Sequence, residues 1–338
     1  MSPTRSPIFL HPIAPLLLNL FVYILSYFVY DIKDITPDYV WYSYVLITIT
    51  AVIISISWLN WKSLTLDLSR LPLIKPILIL ILCISVFEYL VMGVPLFGQI
   101  VYAEFGLPLF HHIAVSSWLI IFGLSSFNNK ILRLIFLLFF FANPILMLNR
   151  DLMLITFFML LIYLWSRKRI GYNKLFFGLA FVVIIFGLLG QLRSPHALKA
   201  ITLPFSFDIN EYPPIFTWLL LYVTSSSFNF YNNVSTLSME LYSVFINVFP
   251  EPYGWSAKFG SFILFYFYFL FSLLTLFFFR TIATFSKLSY WMVFYLYLIY
   301  QSYMSIFSTK FFTTNTIFVF LIFFIASFFS FVRRIPDD

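Results

Sequence analysis

Charge is scarce in this chain. Charged side chains make up 10% of its 338 residues, against about 25% in a soluble domain. That leaves too little polar surface to coat a globule of this size. A soluble enzyme, a disordered tail and a nucleic-acid-binding protein are thereby excluded, and no nucleic-acid partner is expected. Cysteine occurs once, as Cys83 inside an apolar run, which excludes an internal disulfide and any cysteine-based metal site. Neither a Walker A motif nor GxGxxG occurs, so nucleotide-driven pumping has no support. HExxH, other His/Asp clusters with metal spacing, and a Gly-x-Ser-x-Gly elbow are also missing. No metal or cofactor is expected. An inverted-repeat transporter gains nothing either, as no internal repeat is evident. What remains is apolar: 62% hydrophobic and 23% aromatic residues, 47 of them Phe, with a mean hydropathy of +0.97. The solvent that suits such a chain is lipid.

A helix needs roughly 20 mostly apolar residues to cross the hydrocarbon core. About ten stretches qualify: 13–30, 40–58, 76–95, 112–127, 131–148, 151–166, 175–192, 260–279, 289–307 and 313–332. A barrel would instead show alternating strands of about ten residues. The sequence therefore predicts an all-α polytopic membrane protein, a single integral domain over 1–338. The first span follows Arg5 without a clear small-residue cleavage site, so it reads as retained.

Cations then set the orientation. With the N-terminus in the cytoplasm, the inner loops take Arg5, Lys62, Arg70, Lys75, Lys130, Arg133, the basic 167–174 stretch, Arg280, Lys287, Arg333 and Arg334. Of the 20 cations, the outside holds only Lys33, Arg150, Arg193, Lys199, Lys258 and Lys310. Both termini are expected to be cytoplasmic. Residues 193–259 leave and re-enter on the outer face, so they cross an even number of times. Two full crossings would place Glu240 in lipid, at a cost of several kcal/mol. A re-entrant or surface-lying helical pair covering an outer-face cavity is the preferred expectation. Two true spans, giving twelve in all, are the alternative.

Ionisable groups near the outer interface of so apolar a chain are functional candidates. Asn149-Arg150-Asp151 joins two spans with almost no loop. A guanidinium held there can bind phosphate bidentately, although pairing of Arg150 with Asp151 alone is the blander possibility. Arg193, His196 and Lys199 cluster where a span leaves the outer face, where positive-inside reasoning disfavours cations. They suggest an anionic ligand, with lipid headgroups as the alternative. Residues 97–112 contain Gly98, Gly106 and Pro108, which disfavour a continuous helix. That segment reads as a compact loop presenting Glu104, His111 and His112. Glu104 could act as general base or orient a hydroxyl. The two histidines should point in different directions on a helix, so a shared metal is not expected. Asp208, Glu211 and Tyr212, with Asn210, suit sugar hydroxyls or a solvated loop. Glu88 lies within the third span and reads as protonated or hydrogen-bonded inside the bundle. The Ser/Asn-rich stretch 225–233 and the segment 250–255 could form a carbohydrate platform or an ordinary interfacial belt.

Three stretches carry a resemblance. The first is Gly93-Val94-Pro95-Leu96-Phe97 running on to Phe105-Gly106-Leu107-Pro108 and His111-His112. The second is Asn149-Arg150 opening a span, followed by the basic 167–174 stretch. The third is Gly190-Gln191-Leu192-Arg193 with a segment before Gly254 and Phe259. Together they resemble the Wzy-type O-antigen polymerases, over most of the chain. The resemblance implies a multi-helix, lipid-carrier-using glycosyltransferase of the GT-C type in the bacterial inner membrane. Its donor and acceptor would be glycans on undecaprenyl diphosphate, joined on the periplasmic face, with a chain-length regulator as partner. Arg150 and Arg193 would stabilise the diphosphate leaving group, and Glu104, Asp208 or Glu211 would take the acceptor proton. Asp151, His111, His112, His196, Lys199 and Tyr212 would complete substrate binding. The periplasmic Arg-x10-Gly pattern of some members is absent, since Leu161 and Pro204 stand at the glycine positions after Arg150 and Arg193. An O-antigen ligase shares the donor and is the nearest rival. A flippase or other transporter and a membrane acyltransferase are rivals from other classes.

Overall fold

The computed structural model describes residues 8–29, 71–101, 104–193, 263–286, 289–305 and 313–332, with isolated positions 49, 50, 53, 212, 213, 216, 217 and 220. Among the described residues every regular element is helical, α or 3-10. The longer ones are α1 (Ile13–Val29), α2 (Ile74–Met92), α3 (Phe110–Ser126), α4 (Lys130–Leu146), α5 (Arg150–Ser166), α6 (Tyr172–Arg193), α7 (Ile263–Phe285), α8 (Ser289–Met304) and α9 (Thr314–Val332). Each lies on one of the stretches that hydropathy marks out. The stretch 40–58 and most of 193–259 lie outside the described residues. By length and composition Ile74–Phe97 is long and apolar enough to cross a membrane, while Phe110–Ser126, Leu270–Phe285 and Thr314–Ser330 are apolar but shorter.

Local chemistry explains where these helices stop and turn. Gly93, at φ 85°, ends α2, its N–H donating to Tyr89 O. Asn129 caps α4 by accepting from Ile131 N at 2.8 Å, and Asn149 caps α5 by accepting from Leu152 N at 3.0 Å. Side-chain caps of this kind satisfy N–H groups that the first turn leaves without partners. They let residues 147–149 reverse the chain between α4 and α5. The fourth expected span is less regular than its hydropathy suggests. Within α3, Val115–Leu119 and Leu124–Ser126 tighten to 3-10 geometry. Ser116 Oγ bonds back to His112 O at 3.1 Å and Ser126 Oγ to Gly123 O at 2.6 Å, a competition known to bend helices.

Two helices form the centre. α3 packs against α2, α4, α5 and α9, and α8 packs against α1, α5, α7 and α9. Nearly every residue of α8 is buried, as expected for a helix that is apolar all round. Trp118 of α3 stacks on Tyr297 of α8, with centroids 5.3 Å apart and planes within 9°. Four of the five tyrosines of α8 find backbone acceptors, as buried hydroxyls need partners. Tyr290 donates to Pro72 O, Tyr295 to Leu10 O, Tyr300 to Asp151 O and Tyr303 to Phe9 O. Tyr290 and Tyr303 are about 20 Å apart along the helix at 1.5 Å per residue. The consecutive carbonyls of Leu10 and Phe9 meet Tyr295 and Tyr303, so this segment lies alongside α8 and away from Pro72. Orientation by charge alone puts the approaches to α1 and α2 on one side; the demand of Tyr295 and Tyr303 for carbonyl partners draws residues 9 and 10 alongside α8 instead.

Peripheral helices turn large apolar side chains outward, among them Leu90 (80% exposed) and Phe176 (70%). Such a surface suits lipid and is unusual on a soluble monomer. A polar knot ties the interior. Asn143 of α4, fully buried, accepts from Tyr89 Oη of α2 at 2.6 Å and donates to Ser117 Oγ of α3 at 2.9 Å. Interhelical hydrogen bonds of this kind hold bundles together where the hydrophobic effect cannot.

Candidate functional site

At the end of the bundle where α3, α5 and α9 begin and α8 finishes, there is a cavity of about 250 Å³. Its wall is built from four places in the chain. His111, Val115, Ser116 and Trp118 come from α3; Asn149, Asp151, Leu152 and Ile155 come from the start of α5. Tyr297, Tyr300, Gln301 and Met304 come from α8, and Thr313, Asn315 and Val319 from the start of α9. Two of these residues, Asn149 and Thr313, also cap helices, Thr313 Oγ1 accepting from Thr316 N at 3.4 Å. Capping thus explains why polar side chains gather here: the residues that begin α5 and α9 are the residues that line the cavity.

The wall mixes amides, hydroxyls, a carboxylate and an imidazole with aromatic faces. Gln301 is 8% exposed, and its Oε1 has no hydrogen-bond partner. A buried acceptor left in that condition costs about 1–3 kcal/mol. An N–H or O–H donor supplied by a ligand would relieve it.

His111 rests on a second layer. Its Nδ1 lies 3.2 Å from Oε2 of Glu88, which is fully buried, and Glu88 Oε1 accepts from Leu107 N at 2.9 Å. Glu88 is four residues short of Met92, the end of α2, and so only about 6 Å from it. The expectation that Glu88 is hydrogen-bonded within the bundle holds, and its partner is the His111 loop. Gly106 makes that seat possible. Its φ is +123°, and a Cβ there would stand 2.5 Å from His111 Cγ. Phe105 meets His111 edge-on at 5.7 Å and stacks on Tyr89 at 5.6 Å.

The residues singled out from sequence divide as follows. Asp151 and His111 line the cavity. Arg150 is the half-buried first residue of α5, between the cavity residues Asn149 and Asp151. His112 faces elsewhere, pairing with Asn315 and stacking on Phe318 at 5.0 Å; the two adjacent histidines serve different helices, α2 and α9. Glu104 is exposed and is not part of the cavity wall. Tyr212 is exposed, its ring 5.6 Å from Phe216. Arg193 ends α6, with its side chain outside what is described. His196, Lys199, Asp208 and Glu211 also lie outside the described residues. No group of three or more His, Cys, Asp and Glu gathers among the described residues in a way that could hold a metal ion.

Sequence reasoning passed over Trp118, Tyr297, Tyr300, Gln301 and Asn315. A lone glutamine in the aromatic run of α8 was the available signal, because an amide inside an apolar span needs a reason. The chain matches no protein-family model, no curated protein and no solved structure.

Proposed function

We propose that this chain is an inner-membrane glycosyltransferase that polymerises oligosaccharide repeat units carried on undecaprenyl diphosphate, with its cavity open to the periplasmic face. In this reading it is a polytopic protein of the GT-C type, with about ten spans and both ends of the chain in the cytoplasm. The observation that carries the reading is the cavity itself: Gln301, Asn149, Asn315 and Asp151 beside Trp118, Tyr297 and Tyr300, at one end of an otherwise apolar bundle. Sugar hydroxyls both donate and accept, and amides paired with aromatic faces suit them. The cavity is smaller than the roughly 300–1,000 Å³ of drug-sized pockets. It fits the reacting end of a glycan and leaves the rest outside.

The leaving group supports the same reading. A departing diphosphate gathers negative charge, and fixed cations stabilise it without reorganising. Arg150 flanks the cavity, and Arg193 would approach from the exit of α6. The N-termini of α5 and α9, both at the cavity, favour anions as well. The lipid tail would lie against the outward Phe and Leu surface.

Deleting the gene in the source bacterium tests the reading. Polysaccharide limited to a single repeat unit on its acceptor is the expected outcome, with long chains restored by the wild-type protein. Full-length polymer that stays on its lipid carrier would instead mark a ligase. Unchanged polysaccharide would reject both.

A further inference from the structure

We propose that His111 is the catalytic residue that takes the proton of the attacking hydroxyl, and that Glu88 is the positioning residue that fixes its tautomer. The inference rests on the glycosyl-transfer reading and assigns a role that reading leaves open.

A base at this site must touch the ligand space and be held in a fixed orientation. His111 lines that space and is anchored through Nδ1. Its side chain is 26% exposed. Nδ1 lies 3.2 Å from Glu88 Oε2; an ionised Glu88 would accept from Nδ1–H there, fixing the tautomer that keeps the lone pair on Nε2. Glu88 is itself fixed, since Leu107 N–H occupies its other oxygen. Gly106, Phe105 and Glu88 hold the imidazole from separate directions, a precise seat for a residue that needed only to be polar. Other groups fit less well. Glu104 is outside the cavity wall, and His112 is engaged by Asn315. Asp151 lines the cavity and is the competitor.

The acceptor hydroxyl oxygen would bond to the anomeric carbon of the donor glycan. The bond from that carbon to the diphosphate oxygen would break, its electron pair leaving with the lipid diphosphate. The hydroxyl proton would pass to His111 Nε2, giving an imidazolium that faces the Glu88 carboxylate, and would then be lost to water. No oxidant, reductant or further reactant is required.

Full-length protein in liposomes, supplied with a carrier-diphosphate-linked repeat unit, provides the test. His111→Ala should lower kcat by about 10²–10⁴-fold, the usual contribution of a general base, and added imidazole should restore part of it. Glu88→Gln is the sharper variant. Its carbonyl can still accept from Leu107 N–H, so the loop stays seated. Its amide would donate to Nδ1 and leave the proton on Nε2, the wrong tautomer. We expect kcat to fall about 10²-fold or more, with KM and melting temperature within about threefold and a few degrees of wild type. Combining the two substitutions should add little further loss. His111→Ala at near wild-type kcat, or Glu88→Gln at near wild-type kcat, would overturn the inference. So would loss of activity in Asp151→Asn that formate restores, while imidazole restores nothing in His111→Ala. If active wild-type protein accompanies those results, only this inference falls; wild-type protein inert toward the carrier-linked unit would remove the glycosyl-transfer reading as well.

Discussion

Gln301 is the residue whose placement packing explains least. Its amide oxygen, like the neighbouring Ser302 Oγ, is buried without a hydrogen-bond partner, in a helix where Tyr295, Tyr300 and Tyr303 each reach a backbone carbonyl. Replacing it with Leu removes that unmet acceptor. We expect Gln301→Leu to melt slightly higher than wild type and to bind the glycan roughly fivefold more weakly, about 1 kcal/mol. Titration of a soluble glycan fragment alongside a thermal melt checks both directions. Arg150→Ala and Arg193→Ala should each lower turnover by about 10²–10³-fold, the scale of losing one fixed stabiliser of developing negative charge. Long-chain polysaccharide should vanish from gels while both variants remain expressed. At this scale the sequence was readable where chemistry is unusual. Asn149-Arg150-Asp151 stood out because a charged pair between two apolar runs is hard to explain otherwise, and it does border the cavity. Trp118, Tyr297 and Asn315 gave no such sign. Aromatics and amides recur throughout the chain, and only folding brings these together. Glu104 shows the opposite case, a carboxylate near the histidines in sequence that the turn at Gly106 leaves on the outside.

Elements were the most legible level, because burial of apolar runs as helices follows directly from hydropathy. The interior of α3 was not. Its apolar pattern says helix, and says nothing of serine hydroxyls returning to carbonyls and tightening the turns. The joint between α2, α3 and α4 depends on Asn143, which hydropathy treats merely as an interruption. Asn143→Leu leaves Tyr89 Oη and Ser117 Oγ without this partner, and should destabilise the full-length protein by about 1–2 kcal/mol. Urea or thermal unfolding in detergent would register it. Close approach matters at the same joint. A Cβ on Gly123 would lie 2.6 Å from Leu78 Cδ1 and 2.7 Å from Ile74 Cγ1. Gly123→Leu should therefore separate α2 from α3 and destabilise the protein by more than Asn143→Leu does, with overpacking costing about 1–3 kcal/mol or more.

Across the whole molecule, the ends of the helices sort themselves. The start of α3, the turn before α5, the end of α8 and the start of α9 share the cavity, while Pro72, ahead of α2, meets Tyr290 at the other end of α8. Charge counting expects these two groups of residues on opposite faces of a membrane, while tyrosine hydroxyls hold residues 9 and 10 alongside α8. With Cys83 replaced by Ser, a cysteine at Leu109 should react with a membrane-impermeant thiol reagent on intact cells, and one at Lys168 should react only after lysis. Equal labelling of both would contradict the orientation.

The most direct measurement is turnover by the purified protein in liposomes, given a fluorescent repeat unit on undecaprenyl diphosphate as both donor and acceptor. The account predicts a ladder of products differing by one repeat unit, with undecaprenyl diphosphate released in step with each bond formed. A substrate band that stays intact under conditions where the protein remains folded would contradict it.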